Sequence, residues 1–395
     1  MRNEPILPGT AAYRRVAIAL FLGGFATFSL LYCTQPILPL LAASFQVSPA
    51  ASSLALSLTA AALAPAIFVA AAISERFGRR RLMAVSLLAA SGCNIAAGLS
   101  PQWHLLLLAR TLEGFALGGM PAVAMTYLAE EIAPASLGRT MGLFIGGSAL
   151  GGMSGRTITG ILTDWVGWHA ALAGIGGLAL LASLGFALLL PRERQFQPRL
   201  GLSVQTHIGA WLRHMGHGGL PFLFAIGGLA IGSFVTIYNY AGFRFAAPPY
   251  RLSPSEAGLI FLVYLVGVVS SPLAGRLADR FGRSRILLTA ILVGLAGILV
   301  TLLTPLPLVI LGIALITGGF FAMHAIASAW VGGMAENEKG HATSLYLLFF
   351  YVGSAVMGSA GGWFWSPWGW PGIAAFTGTA LLVAALLALR LRRFE

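Results

Sequence analysis

Long apolar runs recur along the whole chain, and they restrict its fold more than any other feature of the sequence. Many of them reach the roughly 20 residues that a helix needs to cross a bilayer. Only 9% of the residues are charged and the mean hydropathy is +0.85, whereas about a quarter of the residues of a soluble domain are charged. Most of the chain therefore has lipid as its solvent, and we expect an all-α membrane protein.

We place twelve transmembrane helices in these runs. The first run is far longer than the apolar core of about 7–15 residues in a cleaved signal peptide, so we interpret it as the first span. Hydropathy alone puts the twelve spans at residues 16–43, 50–73, 82–100, 104–129, 139–163, 168–190, 219–246, 254–276, 285–304, 306–333, 342–365 and 369–389.

One hydrophilic segment divides the predicted spans into two groups of six. It indicates an N-terminal six-helix bundle over residues 1–190, a linker over 191–218 and a C-terminal six-helix bundle over 219–395. Within the linker, apolar residues from Val204 to Met215 recur at helical spacing. This pattern is typical of a short amphipathic helix on a membrane surface, and we expect it on the cytoplasmic side.

The basic residues indicate the orientation of the spans. With both ends in the cytoplasm, 20 of the 24 basic residues fall in cytoplasmic segments, Arg244 and Arg251 fall in external loops, and Arg110 and Arg156 fall within spans. Such an asymmetry marks the cytoplasmic side. The net charge of +12 therefore reflects topology and anionic lipid headgroups, and no nucleic-acid partner is expected.

The two predicted bundles share a sequence repeat. Residues 71–81 have the sequence AAISERFGRRR and residues 275–285 have GRLADRFGRSR, so that Glu75 and Asp279 are 204 residues apart. Gln35 and Asn239 match at the same offset. Two homologous halves of six spans are the plan of transporters that alternate access around a site near the middle of the membrane.

These residues make the chain similar to the major facilitator superfamily. The loop signature of that family, G-x-L-x-D-R-x-G-R-[RK], is complete at residues 275–284 apart from Ser284, while the first copy has Ala71 and Glu75 in place of glycine and aspartate. The fourth-span signature R-x-x-x-G is present at residues 110–114. The fifth-span antiporter motif G-x-x-x-G-P-x-x-G-G is partial, with Ser148 in place of proline and with Gly147, Gly151 and Gly152 retained.

Within the family, the chain resembles the twelve-span drug:proton antiporter branch. The segments YCTQPILP at residues 32–39 and GGMSGR at 151–156 resemble the YnfM-type transporters of the bacterial inner membrane. The resemblance implies a secondary active transporter that exports a small organic molecule in exchange for protons and works as a monomer. It implies a proton gradient as the energy source, with no cofactor and no metal. Uptake of a small metabolite together with protons is the alternative.

The resemblance also implies a conformational latch in the repeated loop. Glu75 would meet the start of the eleventh span and Asp279 the start of the fifth, which would hold the cytoplasmic side shut. A carboxylate is stabilised at the positive end of a helix, and glycine permits the tight turn. The alternative is ordinary positive-inside charge around a turn glycine. The residues concerned are Glu75, Gly78, Arg79, Asp279, Arg280, Gly282 and Arg283.

Ionisable residues at membrane depth are costly and indicate function. Glu113 is the one carboxylate well inside a predicted span, Arg110 and Arg156 are the embedded bases, and His324 is the histidine near a midplane. Glu113 has two interpretations: it carries the coupled proton, or it forms a structural pair with Arg110 three residues earlier. His324 is the next candidate for the proton, since an ordinary histidine side chain titrates near neutral pH.

Polar and aromatic residues near these charges are candidates for the substrate cavity. The first half would supply a charged wall of the cavity and the second half an aromatic wall. Such a cavity suits an amphipathic or weakly charged organic molecule. The alternative role for the aromatic residues is packing between helices. The alternative role for Arg156 is to brace the fifth span. The candidates are Tyr32, Gln35, Arg156, Asn239, Tyr240, Phe320, Tyr346 and Phe350.

The sequence gives little support to other classes of membrane protein. An intramembrane enzyme needs a nucleophile with its base or a metal motif such as H-E-x-x-H, and the sequence contains no such motif. The duplicated loop favours alternating access over an open channel. A receptor that has lost transport would be distinguished by a flux assay. We therefore expect a transporter and no enzymatic activity.

Overall fold

The computed structural model describes residues 5–194, 204–335 and 339–395, and these ranges contain helices and no strand. A single β-bridge joins Ile6 and Ile132. Residues 195–203 of the predicted linker lie outside the described ranges. The helices are α1 Ala11–Tyr32, α2 Leu38–Phe45, α3 Pro49–Ser52, α4 Leu54–Phe77, α5 Arg79–Gly98, α6 Trp103–Leu117, α7 Pro121–Glu131, α8 Pro134–Leu189, α9 Val204–Met215, α10 Leu220–Ala246, α11 Pro254–Leu259, α12 Tyr264–Phe281, α13 Arg283–Val300, α14 Leu306–Met334 and α15 Lys339–Leu391.

The described helices have the lengths and composition of membrane spans. Nine candidates among the described residues are long and apolar enough to cross a membrane, and two of these, Ser136–Leu189 and Lys339–Phe394, have 54 and 56 residues. Each would be about 80 Å long if straight, far more than a hydrocarbon core of about 30 Å. Non-helical backbone at Gly167 and Gly369 interrupts them. The all-α membrane class is confirmed, and the count of twelve stays a prediction.

Four of the predicted spans are broken into shorter helices, namely 16–43, 50–73, 104–129 and 254–276. The first ends as α1 at Tyr32 and continues through a 3₁₀ turn at Gln35–Ile37 into α2. Pro36 lacks the N–H that would bond the carbonyl of Tyr32, which explains the break. The predicted span 104–129 forms α6 and α7, and Pro121 stands at the start of α7, a position that proline favours.

The chain folds into two compact units that exchange short segments of sequence. Unit 1 contains Met1–Ile37, Leu58–Gly201 and Pro254–Leu259, and unit 2 contains Leu38–Ser57, Leu202–Ser253 and Ile260–Glu395. In unit 1, α1 packs along α8, and α5 packs against α6 and α8. In unit 2, α10 packs along α15, and α14 packs against α12 and α13.

Glycines of the fifth-span motif allow α8 to approach α1 closely. A Cβ atom on Gly147 would collide with the carbonyl oxygen of Phe21, and one on Gly151 would collide with that of Phe25. Small residues at helix interfaces in membranes serve this purpose. The motif therefore sets how closely α8 packs on the span that carries Gln35.

The sequence predicted a helix in the linker and an external-loop position for Arg244, and the second prediction was wrong. The helix predicted in the linker forms as α9, and Ile208 and Leu212 expose 45% and 67% of their surface on one of its faces. Arg244, expected in an external loop, lies in the last turn of α10. Its guanidinium donates to the carbonyl oxygens of Thr301 and Leu303 at the end of α13. Arg244 therefore caps a helix C-terminus, where a cation is favourable.

Candidate functional site

Arg156 is the centre of a buried polar group in unit 1. Its side chain lies in α8 and exposes 1% of its surface. Its Nε donates to Gln35 Oε1 at 2.5 Å, and its Nη1 donates to the carbonyl of Gly152, also at 2.5 Å. The guanidinium carbon lies 4.0 Å from the centroid of the Tyr32 ring, within the range of a cation–π contact. The structure thus brings together Tyr32, Gln35 and Arg156.

Thr34 belongs to the same region, although it was not among the predicted site residues. It is fully buried in the break that follows α1, beside Gln35. Its hydroxyl has no hydrogen-bond partner among the described residues. Buried hydroxyls normally bond to protein or to ordered water. A polar ligand or a water molecule at the break would therefore find a donor and an acceptor at Thr34.

Arg110 and Glu113 form a second buried group in unit 1. Both side chains lie in α6 with 0% exposure, and Arg110 Nη1 is 2.7 Å from each carboxylate oxygen of Glu113. The same guanidinium donates to the carbonyls of Leu30 and Leu31 at 3.1 and 3.0 Å. It also donates to Asn94 Oδ1 at 2.9 Å. Arg110 thus contacts the end of α1, and Glu113 is paired with Arg110.

In unit 2, His324 has an aromatic environment. Its Nδ1 lies 2.9 Å from the hydroxyl of Tyr346. The ring stacks on Phe320 and lies 4.8 Å, between centroids, from Phe350. The bond to Tyr346 holds one ring nitrogen, so the arrangement can present the other to a proton or a ligand. Three substrate-cavity candidates, Phe320, Tyr346 and Phe350, therefore form one group with the proton candidate His324.

Asn239 and Tyr240 form another group in unit 2 with different partners. The amide of Asn239 donates to the carbonyl of Gly358, and the hydroxyl of Tyr240 donates to that of Ser359, both at 3.4 Å. The Tyr240 ring also stacks on Trp365. These contacts join α10 to α15 and give both residues a packing role in this structure.

The repeated loop has the same backbone geometry in both units. Gly78 and Gly282 have φ angles of 94° and 96°, which residues other than glycine rarely adopt. Arg79 forms an ion pair with Glu130 at 2.7 Å. Asp279 lines a cavity of about 420 Å³ in unit 2 together with Arg283 and Trp330. The latch contacts implied by the resemblance join different units and stay a prediction.

An acid caps the helix that follows each loop glycine, and the loop motif does not include this acid. Glu193 Oε1 accepts from the backbone N–H of Arg80 at 2.5 Å. Glu395 accepts from the backbone N–H and the hydroxyl of Ser284 at 3.3 and 2.5 Å. Partial burial would raise the pKa of Glu395, but the hydrogen bonds from Ser284 and the charge of Arg285 outweigh it and lower that pKa. Carboxylates are favourable at helix N-termini.

Comparison with known proteins gives consistent matches over the whole chain. Residues 20–228 and 229–395 each match the sequence profile of the Major Facilitator Superfamily. The inner membrane transport protein YnfM of Escherichia coli is 44% identical over 391 residues, covering 99% of this chain and 94% of YnfM. YybF of Bacillus subtilis, an uncharacterized MFS-type transporter, is also 44% identical, covering 97% of this chain and 95% of YybF.

Solved structures of transporters share the fold at low sequence identity. A peptide transporter in complex with sulfate superposes with a TM-score of 0.80 at 12% identity, covering 96% of this chain and 94% of the transporter. A D-xylose–proton symporter gives 0.75 at 16% identity, covering 95% and 97%. Two matches to one profile, one in each half of the sequence, agree with the repeat found at an offset of 204 residues.

Proposed function

This chain belongs to the major facilitator superfamily, and we propose that it exports a small organic molecule across the bacterial inner membrane in exchange for protons. Its relatives are transporters, so the chain is a multi-pass membrane transporter and not an enzyme. Alternating access, a cytoplasmic location of both ends and function as a monomer are parts of the same proposal. The proton gradient is the energy source in this proposal.

The buried Arg156 group is the observation that carries the proposal. Burying an arginine in an apolar bundle costs free energy. Here Arg156 donates a hydrogen bond to Gln35 and lies over the ring of Tyr32. The planar guanidinium can donate hydrogen bonds to polar groups of an organic ligand, and the ring of Tyr32 can pack against an apolar part of the same ligand. We therefore propose that this group contacts an amphipathic or weakly charged substrate, and that Thr34 supplies a further hydrogen bond.

For the proton, the geometry favours His324 over Glu113. Both carboxylate oxygens of Glu113 are occupied by Arg110 in a fully buried position, so a proton transfer would have to break this ion pair in every cycle. His324 is half-buried and is bonded through one ring nitrogen to Tyr346. We propose that His324 takes up and releases the coupled proton.

The test is a screen for proton movement driven by a substrate gradient. Purified protein is reconstituted in liposomes that contain a pH-sensitive dye, and weak acids, weak bases and uncharged amphipathic compounds are added outside. Antiport predicts that an entering compound drives protons out, so the lumen becomes alkaline. Acidification in step with entry would instead show symport. Protein-dependent entry without any proton movement would contradict the proposal.

A matched variant tests whether His324 is needed for the proton signal. His169 is an exposed histidine of α8, and His169→Gln should give the same proton signal as the parent protein. His324→Gln should let the compound enter without the dye response. Equal dye responses in the two variants would remove His324 from the proposal.

A further inference from the structure

The two halves of the chain differ at one place in the span that begins each half. In unit 1 the helix α1 ends at Tyr32, and a turn follows before α2. In unit 2 the corresponding α10 continues without interruption from Leu220 to Ala246. At the offset of 204 residues, Pro36 corresponds to Tyr240, which has the N–H that proline lacks. The break is therefore specific to the first half.

A break inside a membrane helix leaves carbonyl groups without their usual partners. The last carbonyls of α1 have no helical N–H to bond, and they form the negative end of the helix dipole. Arg110 donates from Nη1 to Leu30 and from Nη2 to Leu31. The guanidinium therefore satisfies two such carbonyls and supplies a positive charge at the helix end.

Asn94 connects this arginine to two other helices of unit 1. Its Oδ1 accepts from Arg110 at 2.9 Å and from the thiol of Cys33 at 3.3 Å. Its amide donates to the carbonyl of Leu172 in α8 at 2.8 Å. Glu113 balances the charge of the guanidinium. The group ties the end of α1 to α5, α6 and α8.

The second half provides an internal comparison. The position corresponding to Arg110 is Ala314, and the position corresponding to Glu113 is Thr317. Thr317 shares a hydrogen bond of 2.7 Å with the hydroxyl of Tyr238 in the unbroken α10. The half with a continuous helix thus has neither charge at these positions, and the half with the break has both.

We propose that Asn94, Arg110 and Glu113 form a clamp that holds the carboxyl end of α1. The clamp fixes the break and thereby keeps Gln35 within hydrogen-bond reach of Arg156, so its members are positioning residues. The boundary between the two compact units falls after Ile37, two residues beyond Gln35, and the clamp immobilises the chain on the unit 1 side of that boundary. The value of the clamp for transport rests on the proposed function.

Hydrogen–deuterium exchange of the full-length protein in detergent tests the clamp directly. Asn94→Leu removes the bridging amide and leaves the Arg110–Glu113 pair. A hydrogen bond to a charged group changes a local opening equilibrium by about tenfold to hundredfold, so the backbone amides of residues 33–38 other than Pro36 should exchange faster by that factor. Amides of 237–242, the corresponding part of α10, should not change. Equal protection of 33–38 in parent and variant would overturn the clamp.

Two further variants guard against an effect on folding alone. The double change Arg110→Met with Glu113→Met removes both charges together and should also release residues 33–38. Thr317→Val removes the corresponding hydroxyl in unit 2 and should leave 33–38 protected. A uniform loss of protection across unit 1 in both clamp variants would show that these residues only hold the fold, which contradicts a positioning role. The measurement needs neither substrate nor gradient, so its outcome is independent of the transport proposal.

Discussion

Replacing Glu113 by glutamine removes one charge from a buried ion pair and leaves the arginine in place. Arg110 and Glu113 are 2.7 Å apart and both have 0% exposure. Breaking such a pair on one side costs about 3–5 kcal/mol. Glutamine keeps one acceptor oxygen, so we expect the lower end of this range. Since the total stability of a folded protein is about 5–15 kcal/mol, the variant should lose a large share of it.

Stability and transport should then fall together. Unfolding of the purified variant in detergent, followed by tryptophan fluorescence during titration with denaturant, should show the loss of about 3 kcal/mol. Uphill transport and downhill exchange, each measured per folded molecule, should decrease in parallel, because the end of α1 loses its fixed position. Neither mode should survive alone.

The double change Arg110→Gln with Glu113→Gln is the control for the unpaired charge. It should recover part of the lost stability and not all of it, because Leu30 and Leu31 lose the donor that reaches their carbonyls. A contrary result is equally clear. If Glu113→Gln is as stable as the parent, loses uphill transport and keeps downhill exchange, then Glu113 carries the proton and the structural interpretation is wrong.

Three further changes test separate parts of the account. His324→Gln should abolish uphill transport and retain downhill exchange, because only the titrating ring is lost; retained uphill transport would exclude His324. Asp279→Asn should slow transport and increase labelling of cysteines on the cytoplasmic side, because an amide interacts less with a helix N-terminus; unchanged rates and labelling would refute the latch. A cysteine at Gln102 should react with an impermeant reagent from outside and one at Gly340 should not, and the reverse pattern would overturn the predicted orientation.

Apolar runs and the repeat were sufficient to predict the membrane class and the family. These signals are local, since each span can be recognised from the hydropathy of its own residues. Gln35 and Arg156 were both predicted as substrate-cavity residues, and the two side chains are hydrogen-bonded. The prolines at positions 36 and 39 offered a signal for the break in the first span, although the predicted span ran through it.

The contacts of Asn94 were not predictable from the sequence. An asparagine in an apolar run has no distinguishing motif, and its partners at Arg110 and Leu172 are 16 and 78 residues away. Arg244 was misplaced as well: it was assigned to an external loop although it falls within the predicted span 219–246, and its partners belong to the end of another helix. Tertiary hydrogen bonds of this kind depend on packing that no local pattern records.

Coupling to protons is the central claim, and an imposed pH gradient tests it most directly. Liposomes containing the purified protein are prepared with an equal concentration of a transported compound on both sides, and the outside is then made acidic. Protons flow inward, so antiport predicts that the compound leaves the lumen and accumulates outside, with His324→Gln showing no redistribution. Accumulation inside would show symport, and equal concentrations that persist in the parent protein would contradict proton coupling altogether.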